Sequence, residues 1–175
     1  MRRIAVIGNG GGGKSTLART LGRHLGIPVY EVDEVQWLAS WRRASLDEVA
    51  HTLDGWAAEE SWIIDGFGPW PLFDRRMARA DTIVYVDLPL RTHLWWAAKR
   101  QVVSLVRRRA WAGQTTAPPS LLLFRTLRRL HAMRSDLLDL VTKSGRAAKL
   151  VHLRSPREMA RWLGEVTRTT AGIAD

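Results

Sequence analysis

Short hydrophobic runs alternate along the chain with longer stretches in which apolar residues recur every three or four positions. The runs predict buried strands, at residues 3–7, 29–32, 62–64, 82–86 and 150–153. Strands that alternate with helices are typical of a parallel sheet covered by helices on both faces. The pattern therefore predicts a three-layer α/β domain with a five-stranded parallel sheet.

The helical stretches carry recognisable start signals. The first opens at Lys14 after a run of glycines, and residues 45–48 form a capping box in which Ser45 is followed three positions later by Glu48. Ser155 and Pro156 mark the start of a last helix. These signals predict helices between successive strands, as the three-layer arrangement requires.

Length and composition favour one domain over residues 1–175, with 46% hydrophobic and 25% charged residues. No run is apolar enough to span a membrane, and the apolar part of the N-terminus is too short for a secretory signal. Cysteine is absent and the five histidines lack metal-ligand spacing. The sequence therefore predicts a cytoplasmic protein without a zinc site.

The net charge of +10 is concentrated in one segment. Residues 88–135 contain ten Lys or Arg and no Asp or Glu, whereas the rest of the chain is balanced. This segment predicts two helices around a turn at residues 113–119, as a lid-like insertion at about 92–142 between the fourth and fifth strands. Its positive field would attract nucleotides or, as an alternative, nucleic acid.

A phosphate-binding motif follows the first strand. Residues 8–15, GNGGGGKS, fit the pattern G-x-x-x-x-G-K-[ST] of a P-loop. Backbone N–H groups of such a loop surround phosphate oxygens, Lys14 can contact the β- and γ-phosphates, and the Ser15 hydroxyl can ligate Mg²⁺. The motif predicts binding of ATP and Mg²⁺, with these nucleotide-binding residues: Gly8, Gly10, Gly11, Gly12, Gly13, Lys14, Ser15 and Thr16.

The same glycines allow a second interpretation. Gly8, Gly10 and Gly13 also satisfy G-x-G-x-x-G, and Asp33 lies twenty residues after Gly13, where a dinucleotide fold places its ribose-binding acid. This alternative predicts an NAD-binding oxidoreductase. Lys14 and Ser15 argue against it, because a dinucleotide site uses neither residue.

Three acids, Asp33, Asp65 and Asp87, follow the ends of predicted strands. The carboxyl ends of parallel strands are where α/β sheets bind ligands. Asp65 is the predicted partner of Ser15 in the metal site, through a Mg²⁺-bound water. Asp87 is the competing candidate for that role.

Several segments together resemble a known family. They include IAVIGNGGGGKSTLARTLGRHLGIPV, YEVDEVQW, SWIIDGF, ARADTIVYVDLP and VHLRSPREM. In these segments the chain is similar to the adenylate-kinase-like P-loop proteins often labelled DNA topology modulation proteins. The chain departs from them at residues 67–70, where relatives carry Asn-Tyr, and at Trp95-Trp96, where an arginine is expected.

The resemblance implies an ATP-dependent phosphotransferase with an adenylate-kinase-like fold and a small acceptor such as a nucleoside monophosphate. It implies that Asp33 faces the acceptor, where it could orient a hydroxyl or act as base. Arg100 would belong to a lid that stabilises charge during transfer, together with the catalytic Lys14. Arg154 would lie beside the adenine.

Overall fold

The sheet has five parallel strands in the order β2-β3-β1-β4-β5. The structure, a computed structural model, describes residues 1–38, 42–107 and 121–171. The strands are β1 (Arg3–Gly8), β2 (Val29–Glu31), β3 (Trp62–Asp65), β4 (Thr82–Val86) and β5 (Lys149–Leu153). All five lie where the apolar runs predict them, and the three-layer α/β fold is confirmed.

Helices connect the strands. They are α1 (Lys14–Leu25), α2 (Val32–Gln36), α3 (Leu46–Ala58), α4 (Phe73–Arg79), α5 (Leu90–Arg107), α6 (Leu121–Ala132), α7 (Arg134–Ser144) and α8 (Pro156–Ala171). The capping box is formed at the start of α3, where the Ser45 hydroxyl accepts from the Glu48 N–H and the Glu48 carboxylate accepts from the Ser45 N–H.

Alternate residues of the central strands face opposite layers. Ala5 and Ile7 of β1 pack in one core, against α3, α4 and α7. Ile4 and Val6 pack in the other, against α1 and α8. Because both faces of β1 are buried, this strand reads as a continuous apolar run, and the loop that follows it leaves the sheet from a rigid position.

The strand order separates the two glycine-motif interpretations. β1 lies between β3 and β4, so β2 is an edge strand and pairs only with β3. A dinucleotide-binding sheet places its second strand directly beside the first. The observed strand order therefore argues against the NAD interpretation.

Two local predictions need correction. Val32 does not extend β2, because the chain turns into α2 there, and Asp33 lies in the first turn of that helix.

After the predicted turn at residues 113–119, which lies outside the described residues, the structure has two helices rather than one. α6 and α7 meet at Met133, and Leu137 and Val141 of α7 pack into the core. No glycine or proline marks this break, so packing decides it, and α7 belongs to the α/β layers rather than to a lid.

Among the helices in the described ranges, none is both long and apolar enough to cross a membrane.

Candidate active site

The phosphate loop, which comprises residues 8–15, connects β1 to α1. Gly13 precedes the helix with φ 75°, and a Cβ there would lie 3.1 Å from the Trp96 ring, so only glycine fits without strain. The first turn of α1 contains no acidic side chain, and no side chain caps it. The helix therefore begins with backbone N–H groups that an anion can accept from.

Helices α5 and α6 support the loop from behind. The His93 Nδ1–H of α5 donates to the Gly10 carbonyl over 2.9 Å. The Asn9 side-chain amide donates to the Leu127 carbonyl of α6 over 2.8 Å, and its oxygen accepts from the Gly10 N–H. These bonds attach the loop to α5 and α6 through the Gly10 carbonyl and the Asn9 side chain.

His93 is fully buried at this contact. A carbonyl can only accept, so the bond places the proton on Nδ1, and Nε2 is buried with no hydrogen-bond partner. Burial lowers the pKa of His93; Lys14 and His131 lower it further, and the Gly10 bond and Asp87 oppose the change. The ring is therefore a neutral support for the loop.

Lys14, Ser15 and Asp65 meet at the mouth of the loop. The Lys14 ammonium donates to the Asn9 carbonyl over 3.0 Å, so it lies against the loop that would surround the phosphates. The Ser15 hydroxyl donates to Asp65 Oδ2 over 2.5 Å. This pairing of a P-loop hydroxyl with a strand-end carboxylate is the arrangement that holds Mg²⁺ in P-loop enzymes.

A buried carboxylate oxygen without a hydrogen-bond partner supports a role for Asp65 in a metal site. Its residue is 5% exposed, and its Oδ1 is buried without a hydrogen-bond partner. Burial raises the pKa of Asp65, while Lys14 and the Ser15 bond act in the opposite direction. A carboxylate with an unused oxygen beside a serine hydroxyl can accept a bond from a metal-bound water. No group of three His, Cys, Asp or Glu forms a cage among the described residues, so phosphate and water oxygens would complete the shell.

Asp87, the competing candidate, is engaged elsewhere. Its Oδ2 lies 3.1 Å from His152 Nε2 on the edge strand β5. Of the two acids, Asp65 is the one that the structure brings to Ser15.

Asp33 and Arg100 lie near enough for their charges to interact. Burial raises the pKa of Asp33, although the residue keeps an exposed surface, and both Lys14 and Arg100 oppose the rise. Burial lowers the pKa of Arg100, and Asp33 opposes that change. Each of these charges therefore favours the ionised form of the other, and the lid role of Arg100 stays a prediction.

A buried arginine that sequence reasoning missed lies next to this region. Arg76 of α4 is 3% exposed, and its Nη2 donates to the Gly66 and Phe67 carbonyls over 2.7 and 2.8 Å. Burial lowers its pKa to about 10, and Asp65 opposes the change. Its Nε and Nη1 have no partner. Arg76 thus holds the chain directly after Asp65 in place.

A signal for Arg76 was present in the sequence. Phe73, Arg76 and Met77 are the buried residues of α4, and their spacing of three and four places them on one helix face. The neighbouring Arg75 lies on the exposed face and pairs with Asp54.

A cavity of about 370 Å³ opens beside the phosphate loop. Helices α1, α5 and α8 supply its lining residues, which are Gly13, Thr16, Leu17, Thr20, Trp96, Pro156, Met159, Ala160 and Leu163. Arg154, the predicted neighbour of adenine, is not among them; its exposed residue contributes a backbone N–H to Glu158. Trp96 and Met159 are among the lining residues, and the role of Arg154 stays a prediction.

No family model matches the chain, and no curated protein is significantly similar to it. Solved structures do match. A shikimate kinase from Acinetobacter baumannii in complex with shikimate aligns over 98% of this chain and 94% of its own, with TM-score 0.64 and 14% identity. A sugar kinase from a Janibacter species aligns over 98% and 97%, with TM-score 0.55 and 17% identity. A gluconokinase from Sinorhizobium meliloti aligns over 99% and 98%, with TM-score 0.51 and 16% identity.

The chain has the P-loop kinase fold. At these identities the likeness concerns the fold alone, and the DNA topology modulation type stays a prediction.

Proposed function

We propose that the protein is a kinase that transfers the terminal phosphoryl group of ATP to a hydroxyl group of a small acceptor. The observation that carries this proposal is the 2.5 Å contact between Ser15 of the phosphate loop and Asp65. The charges of Lys14 and Arg100 both act on Asp33, which supports a place for Asp33 near the same loop. Phosphoryl transfer depends mainly on positioning and charge neutralisation, which are what these residues supply.

One set of residues acts on the phosphates of ATP. The loop N–H groups and Lys14 bind the β- and γ-phosphates, and Ser15 and Asp65 would hold Mg²⁺. A bound magnesium ion would neutralise negative charge on those phosphates. Arg100 stabilises charge on the transferred group.

Asp33 acts on the acceptor. Its carboxylate orients the acceptor hydroxyl and takes its proton as the oxygen–phosphorus bond forms and the bond from the γ-phosphorus to the bridging oxygen breaks, which releases ADP. The raised pKa of Asp33 makes it a better proton acceptor than an ordinary aspartate.

The acceptor class is tested with a panel. The fold neighbours are kinases for shikimate, a sugar and gluconate by name, and nucleoside monophosphates are the class implied by the sequence resemblance. The protein is incubated with Mg²⁺ and ATP plus one of these compounds, and ADP and the phosphorylated product are measured by mass spectrometry. We expect one class to raise ADP formation above the rate without acceptor.

The controls separate this activity from a contaminant. Lys14→Met should abolish transfer, whereas Lys143→Met, which changes an exposed lysine on α7, should leave it unchanged. Equal activity of the wild type and Lys14→Met, or failure to bind ATP with Mg²⁺, would refute the proposal.

A second function is favoured by the exposed surface of α5 and α6. Arg91, Lys99, Arg125, Arg128 and Arg129 are exposed there, and residues 88–135 contain no acid. As an alternative we propose a nucleotide-gated nucleic-acid-binding protein. Binding to random duplex DNA that falls steeply with added salt would support this alternative, and no binding at low salt would remove it.

A further inference from the structure

The cavity between α1, α5 and α8 is placed to receive the base of a bound nucleotide. It begins at Gly13 and Thr16, which flank Lys14 and Ser15 in the chain. A triphosphate held by the loop therefore has its remaining parts close to this opening. The volume of about 370 Å³ lies within the range of about 300–1,000 Å³ for ligand pockets.

The lining of the cavity is unusually poor in polar side chains. No lining residue carries a charge or a side-chain amide. The two threonines are the polar side chains, and the Thr20 hydroxyl already donates to the Thr16 carbonyl. The edge of a base would therefore find few specific partners among the lining side chains.

Trp96 is the single aromatic residue of the lining. Its ring packs against Gly13 at one end of the cavity and joins the apolar cluster of Met159 and Leu163. The ring is thus held by the protein before any ligand arrives. A fixed indole beside a phosphate site offers a stacking surface to any base, because every base has a π face.

We propose that Trp96 is the stacking residue for the donor base, and that the protein accepts ATP and GTP with similar affinity. This inference rests on the proposed nucleotide binding. Stacking and apolar contact stabilise both purines alike, whereas discrimination between them requires polar groups that bond to their different exocyclic groups, and the lining side chains offer few of these. The triphosphate, held by the loop, Lys14 and Ser15, therefore determines recognition more than the identity of the base.

The test compares two adjacent tryptophans of α5. Trp96→Ala removes the stacking surface, and Trp95→Ala is the matched control, because Trp95 is 68% exposed and does not line the cavity. Calorimetry measures the dissociation constants of ATP, GTP and inorganic tripolyphosphate, each with Mg²⁺, for the wild type and both variants.

We expect the wild type to bind ATP and GTP within about tenfold of each other, since stacking tolerates any base. Trp96→Ala should weaken both nucleotides by about 5- to 150-fold, which corresponds to the usual stacking contribution. Tripolyphosphate should bind all three proteins equally. Trp95→Ala should match the wild type throughout.

Three outcomes would overturn the inference. They are a preference of more than about tenfold between ATP and GTP, an unchanged affinity in Trp96→Ala, and an equal loss for tripolyphosphate, which would mean that the loop itself is damaged. Trp96→Phe, which keeps a ring, should restore most of the nucleotide affinity and guards against misfolding of the alanine variant. Wild-type protein that binds no nucleotide at all would instead refute the proposed function.

Discussion

The two sides of the cleft are built differently. The donor side, which comprises residues 8–15, the start of α1 and the cavity beside it, is supported by backbone and side-chain hydrogen bonds from α5 and α6. The acceptor side, which comprises α2, residues 66–70 and α4, depends on a single buried guanidinium, that of Arg76. Its aromatic residues differ in exposure, since Phe73 is buried and Trp70 is 51% exposed.

This difference follows from what each side has to bind. A triphosphate always presents the same oxygens, so a loop of backbone N–H groups held in one conformation serves it well. The proposed acceptor side has no such repeated motif; its Phe67, Trp70 and Phe73 form a cluster with ring centroids 5.8 to 6.1 Å apart. The donor side therefore carries a general motif, and the acceptor side carries the features particular to this chain.

The largest effect is expected from breaking the donor side. Lys14→Met should lower kcat by about 10³-fold, because it removes a positive charge from the phosphates as they gain charge. The free energy of unfolding should stay within about 1 kcal/mol of the wild type, since Lys14 makes one hydrogen bond to the loop. Single-turnover kinetics with the acceptor found by the panel measure the first quantity and urea unfolding the second. A loss of less than tenfold in kcat would contradict the role given to Lys14.

Asp33→Asn tests the acceptor side, because Asp33 is the residue proposed to take the proton of the acceptor hydroxyl. We expect kcat to fall about 10²-fold, within the usual range for a general base. The dissociation constant of ATP with Mg²⁺ should stay within a few-fold of the wild type, as measured by calorimetry. If ATP affinity falls in parallel with kcat, Asp33 serves the donor side and the division is wrong.

Arg76→Ala tests the support of the acceptor side. The substitution leaves the Gly66 and Phe67 carbonyls without their donor and opens a cavity in α4. It should lower the free energy of unfolding by about 2–3 kcal/mol.

The neighbouring Arg75→Ala is the control, because Arg75 forms an exposed ion pair with Asp54. It should cost less than about 1 kcal/mol. Urea unfolding of both variants gives the comparison, and equal losses would mean that Arg76 does not hold the loop.

The smallest effect is expected in the pH dependence of the free energy of unfolding, through His93 on the donor side. Because burial lowers the pKa of His93, the unfolded chain binds a proton on this ring at a higher pH than the folded protein does. The free energy of unfolding should therefore fall as pH drops below the ordinary histidine value of about 6.5, by at most about 1.4 kcal/mol per pH unit for one proton.

His93→Asn removes the titration and keeps an amide nitrogen where Nδ1 lies. Between pH 7 and pH 5 its unfolding free energy should fall less steeply than that of the wild type. The carboxyl groups of Asp33 and Asp65 are common to both proteins, so the difference isolates His93. Parallel curves would show that the ring titrates normally.

The fold could be predicted because its signals are local. Each strand is a run of apolar residues, and the α3 capping box lies within four residues of the chain. The phosphate loop is likewise one continuous segment, and its Lys14 and Ser15 lie where the motif predicts them. Local signals of this kind do not depend on how the distant parts of the chain meet.

The remaining site could not be predicted because its contacts are distant in the chain. His93 meets Gly10 across 83 residues, and Asn9 meets Leu127 across 118. No pattern in one sequence reveals such pairs. Arg154 is assigned to the base by the resemblance alone, whereas Trp96 of α5 and Met159 of α8 both line the cavity beside the loop. The roles given to Asp33, Arg100 and Asp65 remain predictions, and Asp33→Asn tests the first of them.

One helix connects the two sides. His93, Trp96 and Arg100 occupy positions three and four residues apart on α5, so a single stripe of this helix reaches the loop, the cavity and the neighbourhood of Asp33. The rise of about 1.5 Å per residue sets about 10 Å between the first and last of them. One residue inserted within this stretch would turn Arg100 by about 100° away from Asp33. The spacing from His93 to Arg100 must therefore keep its present length if one helix is to serve all three places.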